Sequence, residues 1–391
     1  MTDYVLTLNA GSSSLKISLY PVDGDQPVIA GQVERIGTNP ALRAELPGGV
    51  RASHDLPDGQ DGHAGAVAAF LSLIEAQLPD ARIAAVAHRI VHGGPERARS
   101  EVLTAEAIED LARLCPFAPL HQEHNLAGVA AAASAFPDAV QVGCFDTAFH
   151  RDHPWVNDTF ALPRELYDKG VRRYGFHGLS YDYITQWFAR SEPGLAAGRV
   201  VVAHLGNGAS MCALQAGRSI ASTMGFSALD GLAMGTRCGQ IDPGVLLYLM
   251  ADAGMGPDEI TDLLYRKSGL LGLSGISHDM RTLEGSAAPE AAEAITYFVS
   301  RIRRELGALA ASLSGLDALA FTGGIGENSA SVRRGVCEGM NWLGITLDPE
   351  ANERGDLVIS APASSVRVLV VPTDEESVLF REARAHLRRD V

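Results

Sequence analysis

The sequence feature that most constrains the fold is a pattern that occurs twice: a strand, a short turn of small polar residues, and a second strand. The first copy places strands at residues 4–8 and 15–20, and the second places them at 200–205 and 211–214. Mixed helix and strand follow each copy. Since 391 residues also exceed what a single core usually serves, we expect two copies of one α/β unit.

The remaining elements are predicted from apolar periodicity. Further strands are expected at residues 28–36, 83–87, 139–145, 318–321 and 366–371, and helices at 63–77, 105–114, 123–136, 245–250, 258–265, 289–312 and from about Asp374. We therefore predict a first domain at 1–150, completed by the C-terminal helix at about 378–391, and a second domain at 151–377. Ligands favour a cleft between two such domains, because both walls contribute groups.

The formal net charge of −15 argues against nucleic acid or anionic lipid as a partner. The longest apolar run, at residues 66–74, is too short to cross a bilayer, and no basic and apolar leader opens the chain. Five widely spaced cysteines are typical of reduced thiols, not of a disulfide framework. These observations predict a cytoplasmic protein with no membrane partner.

Three glycine-rich or small-residue turns have the composition of phosphate-binding loops, although no Gly-x-x-x-x-Gly-Lys-Ser/Thr motif occurs. In residues 9–16, small residues expose backbone N–H groups, hydroxyls add donors, and Lys16 adds charge. Residues 206–208 offer a similar turn in the second half. The segment 322–328 follows a strand and has three glycines in four positions, which lets the backbone approach a flat or anionic ligand. Plain hairpin or strand-to-helix turns remain the alternative for all three.

Charged residues near predicted strand ends are the candidate catalytic groups. Arg89 and Arg237 each lie close to glycines, where a guanidinium can fork onto a carboxylate or a phosphoryl oxygen. Asp146 ends an apolar strand, and the ends of strands are where α/β sites occur. Surface arginines remain the alternative for the first two. The carboxylates at 374–376 can hold Mg²⁺, or they can cap the last helix and fill its first turn.

Together these segments resemble the acetate kinase family, within the superfamily of acetate and sugar kinases, heat-shock ATPases and actin. The matching stretches follow the family's order along nearly the whole chain: residues 9–16, 88–94, 118–121, 145–150, 173–178, 204–210, 234–239, 242–244, 321–330 and 372–376. The resemblance implies an α/β fold of duplicated ribonuclease H-like (actin-like ATPase) domains with an interdomain active-site cleft. It also implies that the second domain binds nucleotide and forms a homodimer.

The resemblance further implies roles for single residues. The catalytic set would be Arg89, His121, Asp146, His177 and Arg237. The nucleotide and its phosphates would be bound by Asn9, Ser12, Lys16, His204, Gly206, Asn207, Gly208, Asp279, Arg281, Gly324, Ile325, Gly326 and Asn328. The acid would contact Arg89, Val91, Leu120, Phe176 and Ala228, and the metal would contact Asn9 and Glu375.

The implied activity is reversible, Mg²⁺-dependent transfer of the ATP γ-phosphate to acetate by direct in-line attack, giving acetyl phosphate and ADP, with Mn²⁺ as a second usable metal and with a place in acetyl-CoA biosynthesis. The alternatives are a kinase that prefers propionate or butyrate, and a nucleotide-dependent binding module. Ala228 stands where the family usually has proline, and this change could widen the acid pocket. The other departures from the family's pattern are Gln122, Glu123, Leu179, Tyr181, Cys238, Gln240 and Asp374.

Overall fold

The computed structural model describes residues 2–11, 14–36, 39–56, 62–118 and 121–388. Its strands are β1 (Asp3–Ala10), β2 (Ser14–Pro21), β3 (Ile29–Glu34), β4 (Ala41–Leu46), β5 (Val50–Asp55), β6 (Arg82–Ile90), β7 (Glu101–Val102), β8 (Val140–Phe145), β9 (Arg199–Leu205), β10 (Ala209–Gln215), β11 (Arg218–Ser222), β12 (Ala318–Thr322) and β13 (Arg367–Val370).

The helices connect and cover these strands. They are α1 (His63–Gln77), α2 (Ala105–Ala112), α3 (Gln122–Ala135), α4 (Trp155–Asp158), α5 (Arg164–Asp168), α6 (Gly178–Ser191), α7 (Pro193–Ala196), α8 (Pro243–Ala251), α9 (Pro257–Arg266), α10 (Gly269–Ser274), α11 (Met280–Glu284), α12 (Pro289–Ser312), α13 (Gly323–Asn328), α14 (Ala330–Cys337), α15 (Pro349–Arg354) and α16 (Glu375–Leu387). Among the helices of the described ranges, none is long and apolar enough to cross a membrane.

Contacts divide the chain into two compact units. Unit 1 comprises residues Met1–Arg151 together with Asp374–Val391, and unit 2 comprises Asp152–Thr373. The sheet of unit 1 has the order β5-β4-β3-β2-β1-β6-β8-β7, and the sheet of unit 2 has the order β11-β10-β9-β12-β13.

The two sheets share a core of five strands with the same order and directions. In unit 1, β3, β2 and β1 are antiparallel neighbours, and β6 and β8 continue the sheet parallel to β1. In unit 2, β11, β10 and β9 are antiparallel, and β12 and β13 continue parallel to β9. The repeat predicted from the two strand–turn–strand segments is therefore a repeat of sheet topology, and the predicted α/β class is confirmed.

Helix packing follows the predicted periodicity. The bounds of α1 and α12 match the predicted helices at 63–77 and 289–312. In α12, Phe298, Ile302 and Leu306 recur every fourth residue and are fully buried, so one face of the helix packs on the core. In unit 1, a Cβ on Gly31 would lie 2.8 Å from the ring of Phe70, so only glycine allows α1 to approach β3 this closely.

Two predictions about local structure were wrong. The glycine-rich segment after β12 was expected to be a turn before a helix, but residues 323–328 already form α13. The strand predicted at 28–36 is shorter, Ile29–Glu34, and two strands that the sequence did not suggest, β4 and β5, extend the sheet beyond it.

Candidate active site

In unit 1, polar side chains meet at the carboxyl ends of three parallel strands. Asn9 lies at the end of β1, Arg89 at the end of β6, and Asp146 directly follows β8. Helix α16 packs against β1, β6 and β8 and begins with Glu375 and Glu376. We call Asn9, Arg89, Asp146, Glu375 and Glu376 the Arg89 cluster.

Arg89 is the hub of this cluster. Its Nε donates to Oδ1 of Asp146 at 3.0 Å and its Nη2 donates to Oδ2 at 2.7 Å, which is a bidentate pair. Its Nη1 donates to Oδ1 of Asn9 at 3.0 Å and lies 3.4 Å from Oε2 of Glu375. Burial opposes the charge of the guanidinium, but Asp146 and Glu375 outweigh that effect and raise its pKa, so Arg89 stays a cation.

The two glutamates of the cluster crowd negative charge around one amide. Asn9 Nδ2 donates to Oε2 of Glu375 at 2.8 Å and to Oε1 of Glu376 at 3.0 Å. Burial raises the pKa of Glu376, Lys16 at 3.9 Å opposes this rise, and Glu375 adds to it. A cation bound beside these two adjacent carboxylates would reduce the repulsion between them. The pair therefore suits Mg²⁺, which proteins commonly bind through one or two carboxylates plus substrate phosphates. No cluster of three or more His, Cys, Asp or Glu ligands occurs among the described residues.

The segment after β6 is held by two side chains of α3. Gln122 is fully buried, accepts a hydrogen bond from His92 N–H at 3.2 Å, and donates to the carbonyl oxygens of His92 and Leu111. Asn125 Oδ1 accepts from Val91 N–H at 3.0 Å. The departure at Gln122 thus has a structural role that the sequence did not reveal, since it fixes the backbone that follows Arg89.

The other predicted residues of unit 1 are placed as follows. Val91 is buried, and His121 immediately precedes α3. Lys16 is on β2, directly opposite Asn9 in the β1–β2 register. Ser12 and Leu120 lie outside the described residues.

In unit 2, two histidines form a second polar site at the start of α6. His177 is the residue before α6 and has a left-handed backbone with φ of 57°, which a non-glycine residue adopts only when its surroundings impose it. Its ring stacks on that of His204 with centroids 4.3 Å apart. Nδ1 of His177 lies 2.8 Å from Ser210 Oγ, and Nδ1 of His204 lies 2.8 Å from Ser180 Oγ.

Arg237 and two predicted acid-contact residues also belong to unit 2. Arg237 Nη1 donates to the carbonyl oxygen of Ala228 at 3.2 Å. A Cβ on Gly208 would meet His177 Nε2 at 3.2 Å and Arg237 Nη1 at 3.7 Å, so the turn, the imidazole and the guanidinium lie side by side. Phe176, the residue before His177, is buried.

A cavity of about 610 Å³ in unit 2 is bordered by seven of the predicted nucleotide-binding residues. These are Gly206, Asn207, Asp279, Arg281, Gly324, Ile325 and Asn328. The volume is within the usual range for small-molecule sites. Sequence reasoning missed His278, Met280, Glu284 and Ser329, which also line the cavity.

Local structure explains why these residues form the cavity wall. Asp279 caps α11 by accepting from Arg281 N–H at 2.9 Å, and its carboxylate also pairs with the Arg281 guanidinium, which lowers the pKa of Asp279. On the opposite side, a Cβ on Gly324 would meet nothing within 4 Å. Gly326 differs, because its Cβ position is 3.5 Å from the backbone of Phe321 and it serves packing between α13 and β12.

Comparison with known proteins decides the family. The model of the acetokinase family matches residues 4–381. This chain belongs to the acetokinase family. It is 53% identical to the acetate kinase of Methylocella silvestris, over 99% of this chain and 98% of that protein.

Two solved structures, of an acetate kinase and of a propionate kinase, agree with this assignment. The crystal structure of Porphyromonas gingivalis acetate kinase is 38% identical, with a TM-score of 0.86 over 98% of this chain and 100% of that one. A propionate kinase from Francisella tularensis is 33% identical, with a TM-score of 0.90 over 97% and 98% of the two chains. The family resemblance and the fold of duplicated actin-like ATPase units are therefore confirmed.

Two departures from the acetokinase pattern, Gln240 and Asp374, now have structural partners, and a third, Cys238, is explained by burial. Gln240 Oε1 accepts from Arg301 at 2.8 Å and also from Arg304, so it joins the loop after Arg237 to α12. Asp374 caps α16 by accepting from Ser377 N–H at 3.0 Å. Cys238 is half-buried, and burial raises the pKa of its thiol to about 11. These roles concern packing and capping.

Proposed function

We propose that this protein transfers the γ-phosphate of ATP to acetate, reversibly, giving acetyl phosphate and ADP. The observation that carries the proposal is the cavity of unit 2, which is bordered by Gly324 and by the Gly206–Asn207 turn at a size that suits a nucleotide. The Arg89 cluster supplies the second requirement of a kinase that acts on an acid, a fixed cation among carboxylates that hold it in place.

The proposed reaction does not need a general base. A carboxylic acid is already ionised at neutral pH, since its pKa is about 4, so the acceptor needs no proton removed. Catalysis then consists of bringing two anions into line and of stabilising charge on the transferring phosphoryl group. We assign the acid's carboxylate to Arg89, the phosphoryl oxygens to Arg237 and His177, and the orientation of Arg89 to Asp146.

The remaining predicted roles complete the proposal. Val91, Leu120, Phe176 and Ala228 would contact the methyl group of the acid, and His121 and His204 would assist at the phosphoryl group. Asn9, Ser12, Lys16 and Gly208 would bind phosphate oxygens. Asp279, Arg281, Gly324, Ile325, Gly326 and Asn328 would hold the adenosine.

Glu375, with Asn9 oriented beside it, would hold Mg²⁺, and Mn²⁺ would suit the same oxygen ligands. When bound, the metal neutralises charge on the β- and γ-phosphates. The neighbouring Glu376 adds negative charge that favours a cation, and its buried carboxylate has a raised pKa. The free thiols of all five cysteines suit a reducing compartment, so we place the reaction in the cytoplasm, where acetyl phosphate would feed acetyl-CoA biosynthesis.

The first experiment is formation of acyl phosphate from ATP and Mg²⁺, trapped with hydroxylamine, with acetate, propionate and butyrate compared side by side. We expect acetate to give the highest kcat/KM. A preference for propionate would leave the proposed mechanism unchanged and would indicate that the acid pocket is wider at Ala228. Slow ATP hydrolysis that no acid accelerates would reject the kinase and leave a nucleotide-dependent binding module.

We also propose that a second copy of the chain packs on α8. Four of its apolar side chains are 40–64% exposed, namely Val245, Leu247, Tyr248 and Met250, and no residue of α8 is buried. Soluble proteins rarely leave such a patch uncovered, and two-fold homodimers bury the same surface of both copies.

Light scattering coupled to gel filtration tests the homodimer. We expect a dimer for the wild-type protein and a monomer for Leu247→Glu. Val156→Glu is the control, because Val156 is 72% exposed but lies on α4, outside the proposed interface. A wild-type monomer, or a dimer that Leu247→Glu leaves intact, would reject α8 as the interface.

A further inference from the structure

Two histidine–serine contacts connect the start of α6 to the β9–β10 hairpin. His177 precedes α6 and contacts Ser210 on β10, whereas Ser180 in the first turn of α6 contacts His204 on β9. Ser210 and His204 are themselves opposite each other in the β9–β10 register. The position of each imidazole is therefore set by a hydroxyl from the other element.

Tyr181 adds a third member to one of these contacts. Its hydroxyl lies 2.5 Å from Ser210 Oγ, so Ser210 stands between the phenol and Nδ1 of His177. Tyr181 is fully buried, and burial raises its pKa well above the usual value. The phenol therefore keeps its proton at neutral pH.

The order of acidity sets the direction of the hydrogen bonds. A phenol, with a pKa of about 10, is a stronger acid and a better donor than an aliphatic hydroxyl, whose proton rotates to suit its neighbours. Tyr181 can accordingly donate to Ser210, which leaves the Ser210 proton available for donation to Nδ1 of His177. A neutral imidazole that accepts at Nδ1 carries its proton on Nε2.

Nε2 is the ring atom that faces the proposed phosphate site. It lies 3.2 Å from the position that a Cβ on Gly208 would occupy, and Arg237 Nη1 is 3.7 Å from the same point. An N–H at this position would add a donor beside the guanidinium, whereas a bare nitrogen would repel a phosphoryl oxygen.

We propose that Tyr181 is a positioning residue that, through Ser210, holds the proton of neutral His177 on Nε2, where it donates to the transferring phosphoryl group. This inference rests on the proposed function and deepens it. The relay uses one of the positions at which this chain departs from the family's pattern, and it gives that departure a role in the reaction.

The kinetic test compares two buried tyrosines of unit 2. Tyr181→Phe removes the hydroxyl that orients Ser210, so we expect kcat to fall about tenfold while KM for ATP and for acetate changes less than about twofold. Tyr174→Phe is the matched control: Tyr174 is also fully buried, and its hydroxyl donates to the Gly170 carbonyl at 2.7 Å. If Tyr181→Phe and Tyr174→Phe have the same kcat, the inference is wrong.

A double-mutant cycle separates positioning from general structure. In the His177→Gln background the relay has nothing to orient, so adding Tyr181→Phe should leave kcat unchanged. An equal tenfold loss in both backgrounds would show that Tyr181 acts on the site by another route and would overturn the inference.

A spectroscopic readout does not depend on activity. In the full-length protein labelled with ¹⁵N-histidine, the signals of His177 are those that disappear in His177→Gln. We expect an unprotonated Nδ1 and a protonated Nε2 in the wild type, and a mixture of tautomers in Tyr181→Phe. A wild-type proton on Nδ1 would refute the relay even in an active enzyme. Conversely, absence of acyl phosphate with the expected tautomer would refute the proposed function and leave the proton placement standing.

Discussion

The two units have the same five-strand topology but place different chemistry at the ends of corresponding strands. In unit 1, Asn9 and Arg89 are the penultimate residues of β1 and β6, and Arg89 is held by carboxylates. In unit 2, the corresponding strands β9 and β12 lead into the Gly206–Gly208 turn and into Gly323 of α13. At this edge the sheet of unit 1 presents charged side chains that are held in place, whereas the sheet of unit 2 presents glycine backbone beside a cavity.

This difference separates the residues that determine the sheet topology from the residues that determine the chemistry. The apolar strands specify the order β3-β2-β1-β6-β8 and its counterpart in unit 2, because both sheets bury the same kind of residues. The residues that follow the strands do not have to be apolar and buried, so they can differ between the two units and determine the chemistry. Gly323 illustrates the second unit: its φ is 77°, and a Cβ there would lie 2.8 Å from the Leu205 carbonyl, so the close approach of α13 to β9 requires glycine.

The largest effect is expected when the charge of unit 1 is removed. Arg89→Met leaves the buried Asp146 and the Glu375 carboxylate without their cation. We expect kcat to fall by about 10²–10³ and the free energy of unfolding to fall by about 3–5 kcal/mol, because buried carboxylates lose the guanidinium that pairs with them. Hydroxylamine trapping and urea unfolding measure the two losses.

Arg82→Met is the control for this variant. Arg82 is on the same strand, β6, and also pairs with a carboxylate, that of Asp3, but it is exposed. Exposed pairs contribute little, so activity and melting temperature should stay close to those of the wild type. Equal losses in the two variants would show that burial does not make the Arg89 pair more important than the Arg82 pair. The contrast between fixed charge in unit 1 and backbone groups in unit 2 would then have no support from electrostatics.

The second prediction fills the space of unit 2. A valine at Gly324 would project into the cavity without a backbone clash, because its Cβ position has no neighbour within 4 Å. We expect Gly324→Val to raise KM for ATP at least about tenfold, or about 1.4 kcal/mol, and to leave KM for acetate and the melting temperature nearly unchanged.

Gly194→Val provides the matched control. Gly194 is the second residue of α7, as Gly324 is of α13, and it also has open space around its Cβ position. It lies outside the cavity wall, so KM for ATP should not change. If both variants bind ATP like the wild type, the cavity is not the nucleotide site, and the family's nucleotide residues act elsewhere.

The sequence predicted the regular core well, because long apolar periods leave few alternatives. Helix α12 was predicted with its bounds, and the strand–turn–strand repeat predicted the common topology of the two sheets. Strands β4 and β5 were missed for a physical reason. Every residue of β5 is at least partly exposed, and an exposed edge strand has no apolar alternation to reveal it.

The candidate site was predicted unevenly. Charged residues at strand ends, such as Arg89 and Asp146, were found because strand ends are the usual sites in α/β folds. The roles of Gln122 and Ser210 were not found, since they come from side-chain hydrogen bonds, such as those with His92 and His177, that join segments distant in sequence. Composition and periodicity carry no signal for such contacts.

The last prediction concerns pH and the buried histidines of unit 1. His88 is buried on β6, and Nε2 lies 2.8 Å from Gln141 Oε1. Burial lowers its pKa to about 4, although the contact with Gln141 opposes the shift. In the unfolded chain the pKa is about 6.5, so the unfolded state takes up the proton first and stability falls as pH drops from 6.5 towards 4.

His88→Gln removes this proton uptake and keeps a neutral side chain beside Gln141. Between pH 7 and pH 5 the wild type should lose about 2 kcal/mol more of its unfolding free energy than the variant, measured by urea unfolding at both values. His92 adds a loss of the same sign, because burial and Arg151 lower its pKa to about 3, and Glu376 with its raised pKa acts in the opposite direction. Both are present in wild type and variant, so the difference isolates His88. His54→Gln, an exposed histidine on β5, should follow the wild type. If His88→Gln follows it too, His88 takes up its proton in the folded state, and the end of β6 next to Arg89 is more hydrated than its burial indicates.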